Sequence, residues 1–166
     1  MARILQVVTR NKADKIYRFI NYIVDFIISI LIIWVLIAVY ALLKHFVSGV
    51  ELEQTAYDLE RVNGFLDRVV TLLLYAFIMF LTEKITNGRS LGKLLTGTKV
   101  IKTDGSTLTT DDLLKRNFSR AIPFDGFSFL GNNGWHDSWS DTRVVRIKDY
   151  EAALKLEKEM EMLGAT

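Results

Sequence analysis

The run FINYIVDFIISILIIWVLIAVYALL, residues 19–43, is too long and too apolar for an ordinary surface helix. About 20 consecutive apolar residues suffice to cross the hydrocarbon core of a bilayer, so the run reads as a membrane span. One ionisable group, Asp25, interrupts it near its amino end. A carboxylate at that depth costs on the order of 3 kcal/mol unless it faces a partner, water or the interior of a bundle, which makes Asp25 a candidate site residue. Arg18 lies seven positions earlier, about two helical turns away on the same face. Asn21 and Tyr22, one turn above Arg18, can hydrogen-bond the same cluster. Two readings of Arg18 with Asp25 follow: a salt bridge that locks this helix to a neighbour, or a proton- or cation-binding carboxylate tuned by the arginine.

A second apolar run, VVTLLLYAFIMFL at 69–81, is shorter. It reaches spanning length when its margins join the same helix, giving a span over about 65–85 with Asp67, Arg68, Glu83 and Lys84 near its ends. Its alternative is a buried helix of a soluble bundle. Glu83 is a further candidate carboxylate, or else it simply pairs with Lys84, Arg89 or Arg116. No secretory signal is read in the polar, basic first 15 residues, so the first span is expected to be a retained anchor.

Composition agrees with spans joined to charged segments: half of the 166 residues are apolar, yet 24% are charged. A net charge of +2 is too small to argue for nucleic acid. There is no cysteine, hence no disulfide framework and no thiolate nucleophile, and the two histidines, His45 and His136, are too few for most histidine-built metal centres. No metal or cofactor is expected. No nucleophile–base or paired-carboxylate arrangement stands out, so no enzyme is expected either.

Lysine and arginine set the orientation. Arg3, Arg10, Lys12, Lys15 and Arg18 precede the first span, and Lys84, Arg89, Lys93, Lys99 and Lys102 follow the second. The segment between them is acidic, with Glu51, Glu53, Asp58, Glu60 and Asp67. The positive-inside rule therefore puts both termini in the cytoplasm and the 44–64 loop outside.

The remainder reads as a cytosolic α+β cap. Strand character appears at 98–103 and at TRVVRI, 142–147, and pairing the two makes a small sheet, with Asp104-Gly105 as a tight turn. Residues 111–122 read as a helix, capped by Thr110 or Asp111 and stopped before Pro123. Its Lys115, Arg116 and Arg120 form a basic face, suited either to a membrane surface or to solvent. The aromatic loop at 123–134 is either re-entrant or superficial, and the tail from Tyr150 is a charged helix. GRSLGK lacks the spacing and the following Ser/Thr of a phosphate-binding loop. Its glycines instead turn the chain out of the membrane, with Arg89 and Lys93 touching anionic headgroups.

Four segments together carry a resemblance: RFINYIVDF at 18–26, GRSLGKLLTGTKVIKTDG at 88–105, RNFSR at 116–120 and HDSWSDTRVV at 136–145. In this order they resemble the RDD family of bacterial integral membrane proteins, named for one arginine and two aspartates. The resemblance implies Arg18 and Asp25 as the first two of these residues and Asp137 as the third. It also implies the bacterial cytoplasmic (inner) membrane as the location. His136 is then either a proton relay or a hydrogen-bonding neighbour of Asp137. The expected organisation is a basic cytosolic N-terminus (1–16), a membrane domain (17–145, with its cap at 86–145) and a helical tail (146–166). The expected fold is thus a mainly α two-span hairpin with a small α+β cap.

Two functions are open. One is movement of protons, cations or a small solute through a homo-oligomer whose Arg18–Asp25 faces share a centre, since two spans enclose no sizeable pathway. The other is a non-transport scaffold that binds lipid headgroups or a protein partner.

Overall fold

A computed structural model describes residues 2–122 and 134–164. Eight helices and two strands occur among them. They are α1 (Ala2–Arg10), α2 (Lys15–Ser48), α3 (Leu52–Glu60), α4 (Gly64–Ile85), α5 (Leu91–Thr96), β1 (Thr98–Lys102), α6 (Thr110–Ser119), α7 (Trp135–Trp139), β2 (Thr142–Arg146) and α8 (Ile147–Met162).

Both α2 and α4 are long and apolar enough to cross a membrane. At about 1.5 Å per residue, the 34 residues of α2 extend about 51 Å and the 22 of α4 about 33 Å, against a hydrocarbon core of about 30 Å. The buried stripe of α2 is polar: Arg18, Asn21, Asp25 and Ser29, followed by Ile33, recur at three- and four-residue spacing. Phe19, Ile23, Phe26, Ile27, Trp34 and Val35 point outward instead. That inversion of the usual soluble pattern is what a lipid solvent selects, because apolar side chains lose nothing by facing it while charges must be enclosed. The buried stripe of α4 is Tyr75, Ala76, Met79, Phe80 and Glu83, and Phe26 meets Tyr75 edge-on across the two helices.

The 44–64 segment, read as a loop, contains α3. Its Asp58 accepts a hydrogen bond from Gln54 within the helix (2.8 Å) and one from Lys44 Nζ (3.1 Å), and the second ties the short helix back to the end of α2. Asn63 then caps α4 by accepting from the Phe65 amide (2.9 Å). The basic N-terminus likewise holds a helix, α1, whose Val7 and Val8 are buried.

The strands pair antiparallel, from Thr98 opposite Arg146 to Lys102 opposite Thr142, within a residue of the expected bounds. The Ala13 amide bonds the Val144 carbonyl (2.8 Å), so the approach to α2 runs along β2, and Ala13, Val100 and Val144 form a small apolar core. Thr109, one residue before the expected cap, starts α6 in a reciprocal capping box with Asp112, and the helix ends at Ser119 rather than 122. The α8 helix buries no residue. Residues 123–133, and with them the choice between a re-entrant and a superficial loop, lie outside the described residues.

Candidate functional site

The polar stripe of α2, the carboxyl end of α4 and the inner faces of α5, α6 and α7 meet in one buried charge cluster. Arg18, Asp25, Glu83, Lys93, Arg116 and Asp137 are all less than a tenth exposed. Four cations (Arg18, Lys93, Arg116, Arg120) face three carboxylates (Asp25, Glu83, Asp137).

Asp137 sits on the one buried position of α7, the short helix that begins at Trp135 after Gly134. There it accepts from Arg18 Nη2 (2.8 Å) and from Arg116 Nη1, which also donates to Thr142 Oγ1 at the start of β2 (2.8 Å). Arg143 donates to the Asp137 carbonyl (3.1 Å), and His136 Nε2 lies 3.8 Å from the carboxylate. Burial pushes the Asp137 carboxyl up, but Arg116, His136 and Arg18 outweigh it and hold it well below the usual carboxylate range.

Glu83 is the second centre. It pairs with Lys93 Nζ (2.7 Å), Arg116 Nε (3.3 Å) and Arg120 Nη2 (3.6 Å), and accepts from Asn117 Nδ2 (2.9 Å). Arg116 thus bridges Glu83 and Asp137. Burial lowers the pKa of Lys93, and Glu83 opposes that shift.

Asp25 forms the third centre without an arginine. It accepts from Ser90 Oγ (2.5 Å) and from the Gly92 amide (2.7 Å), so it serves the amino end of α5, which Ser90 caps. Ser90 Oγ in turn accepts from Lys93 Nζ (3.0 Å), which links Asp25 to Glu83 through two side chains. This docking requires a glycine at 92, because a Cβ there would stand 2.6 Å from the Asn21 carbonyl oxygen. Asn21 completes the joint by donating to Thr98 Oγ1 (2.9 Å) and accepting from Thr96 Oγ1 (2.6 Å).

Several sequence expectations change. Arg18 and Asp25 share a buried face but are not partners: Arg18 reaches Asp137 in the cap, and Asp25 reaches α5. Lys93 does not touch headgroups, since it is enclosed against Glu83; Arg89 is half-buried. Glu83 pairs with Arg116 as one of its options, and with Lys93 rather than Lys84 or Arg89. The basic face of α6 is not a surface: Arg116 is fully buried, Arg120 nearly so, and only Lys115 pairs outside, with Asp111 (2.6 Å). Leu114 and Phe118 face outward instead. Asn21 serves the α5–β1 joint, and the Tyr22 ring stacks on Phe26. Ser90, Gly92, Asn117 and Thr142 were missed. Only Ser90 left a signal, as a cap-type residue just ahead of LGKLL.

Chemically the cluster is saturated with donors. Each carboxylate faces ammonium, guanidinium, hydroxyl or amide hydrogens, so a metal or other cation could enter only by displacing one of them. Arg18 Nη1 and Arg116 Nη2 are buried with no acceptor among the described residues, which accords with the excess of positive charge.

A family model described as the RDD family matches residues 13–147. No curated protein and no solved structure matches the chain.

Proposed function

Because the chain belongs to the RDD family, a membrane family, we propose that it is a membrane scaffold whose intramembrane charges hold a cap rigidly on two spans. The observation that carries this reading is the occupancy of the carboxylates. Asp25, Glu83 and Asp137 are each buried and each already bonded to donors. A transported cation would have to displace a lysine or arginine at Glu83 or Asp137, or the Ser90 and Gly92 donors at Asp25, and a buried cation stripped of its partner is strongly destabilising.

The outer surface of the cap supports its place against the bilayer. Leu91, Leu94 and Leu95 of α5 and Leu114 and Phe118 of α6 are exposed, while the polar sides of both helices face the cluster. The lysine and arginine bias favours cytoplasmic termini in a bacterial inner membrane, with Arg89 beside the headgroups. No catalytic role is proposed.

A second reading, proton movement through a homo-oligomer, is favoured by one observation: the hydrogen-bonded chain Asp25–Ser90–Lys93–Glu83. Flux measurements in proteoliposomes separate the two. For the scaffold, wild type gives no cation or proton flux above protein-free liposomes, and Asp25→Asn and Asp137→Asn only lower the melting temperature. Wild-type flux that disappears in correctly folded Asp25→Asn or Asp137→Asn would overturn the scaffold. Purification as a monomer from mild detergent and lipid would count against the oligomeric pathway.

A further inference from the structure

A cavity of about 550 Å³ opens beside the carboxyl end of α4, outside the charge cluster. Its polar lining is Lys84, Asn87, Lys99, Ser106, Thr107 and Thr110. Val100 and Leu108 supply an apolar wall, and they crowd Gly88 so closely that a Cβ there would lie 2.7 Å from Leu108 Cδ1. With φ at +87°, Gly88 is suited to this tight corner on both counts.

The charges around the cavity are unbalanced. Neither Lys84 nor Lys99 forms an ion pair among the described residues, and no carboxylate lines the cavity. Of the nearby acids, Asp112 pairs with Lys102 (3.4 Å) and Asp111 with Lys115 (2.6 Å), while Asp104 lies behind the lining and accepts from the amide (2.9 Å) and hydroxyl (2.7 Å) of Ser106. The Lys84 ammonium lies over the Phe80 ring, 5.5 Å from its centre and one helical turn back along α4, so it has an aromatic neighbour but no anionic one. Two ammonium groups with threonine hydroxyls and an asparagine amide suit a phosphate anion, whereas a cation would meet two lysines and no carboxylate in the lining.

We infer that this cavity binds a phosphate group, and that the phosphate is the headgroup of an anionic lipid. The source follows from continuity with the apolar flank of the span: Phe77, Leu81 and Ile85 are exposed on α4 just before the cavity, so acyl chains can run along the helix while the headgroup enters between Lys84 and Lys99. The volume lies within the usual range for a small-ligand site. This deepens the headgroup-binding side of the scaffold reading, and lipid binding and ion flux are measured separately, so either can fail alone.

The test is lipid retention by the full chain, released for native mass spectrometry from mixed micelles of phosphatidylglycerol and phosphatidylcholine. Wild type should retain phosphatidylglycerol in preference. Lys84→Gln/Lys99→Gln should weaken that retention about tenfold or more, with Lys84→Arg/Lys99→Arg restoring it. Thr107→Trp, which fills the cavity and spares both lysines, should lose it as well, with thermal melts confirming that each variant folds. Unchanged retention in Lys84→Gln/Lys99→Gln, or full retention in folded Thr107→Trp, would overturn the site. Inorganic phosphate binding to wild type, with no preference between the two lipids, would overturn the lipid assignment.

Discussion

Asp137 shows how one carboxylate can organise two distant arginines. It sits 119 residues from Arg18 in the chain, yet it is that arginine's ion-pair partner and shares Arg116 with Glu83. Replacing Asp137 by Asn keeps an acceptor but removes the charge, so Arg18 is left buried without its counter-ion. Breaking a buried pair in this way costs about 3–5 kcal/mol, and a melt in detergent should show a correspondingly large drop. The sign of the pH dependence follows from the same contacts. A carboxyl held below its ordinary value favours the folded state at every pH above the unfolded value. That contribution fades as pH falls from about 4 toward the lower folded value. Wild type should therefore lose stability on acidification below about pH 4, whereas Asp137→Asn should lack that part of the slope. An acid slope equally steep in Asp137→Asn would refute the assignment.

Among the elements, α5 is the one whose position depends on a close backbone approach as well as on side chains. Six residues make too short a helix to persist alone, and it is held by Asp25 at its amino end and by the close approach of Gly92 to Asn21. Gly92→Ala would push a methyl into the Asn21 backbone, which cannot yield as a flexible side chain could. A loss of about 1–3 kcal/mol is expected. Gly97→Ala meets open space and strains only its own left-handed conformation, so its loss should be about 1 kcal/mol. A Gly92→Ala variant that melts at the wild-type temperature would show that α5 does not dock on α2 as described. The same economy explains α6. Its arginines turn inward because Asp137 and Glu83 offer them charge, and its Leu114 and Phe118 are left on the outer side, which the proposed place of the cap against the bilayer would accommodate.

For the molecule as a whole, the two spans are unequal partners. The α2 helix outruns α4 by 12 residues, and α3 folds back along the excess through the Lys44–Asp58 pair. The absence of cysteine makes the proposed topology directly measurable. With Glu53→Cys in α3 and Lys158→Cys in α8, both at exposed positions, a membrane-impermeant maleimide should label the first in intact cells and the second only after permeabilisation. The reverse pattern would invert the orientation and put the charge cluster at the outer face.

Two spans, two pairable strands and the unusual cost of Asp25 were readable directly from the chain, because hydrophobic length, alternation and an isolated charge are local properties. The family pattern likewise singled out Arg18, Asp25 and Asp137. The pairing among these groups was not readable. Helical spacing puts Arg18 and Asp25 on one face, but a shared face says only that both point toward the same interior, not who waits there. The partners came from the cap, across sequence separations of 119 residues for Arg18–Asp137 and 67 for Asp25–Gly92. For the same reason the basic residues of α6 and Lys93 looked like surface charge, when charge in a lipid-facing fold is what the interior must enclose. Local sequence determined which segments are long and apolar enough to cross a membrane and which groups could not face it. Tertiary structure alone decided which charges neutralise one another, because that depends on where helices far apart in the chain come to rest.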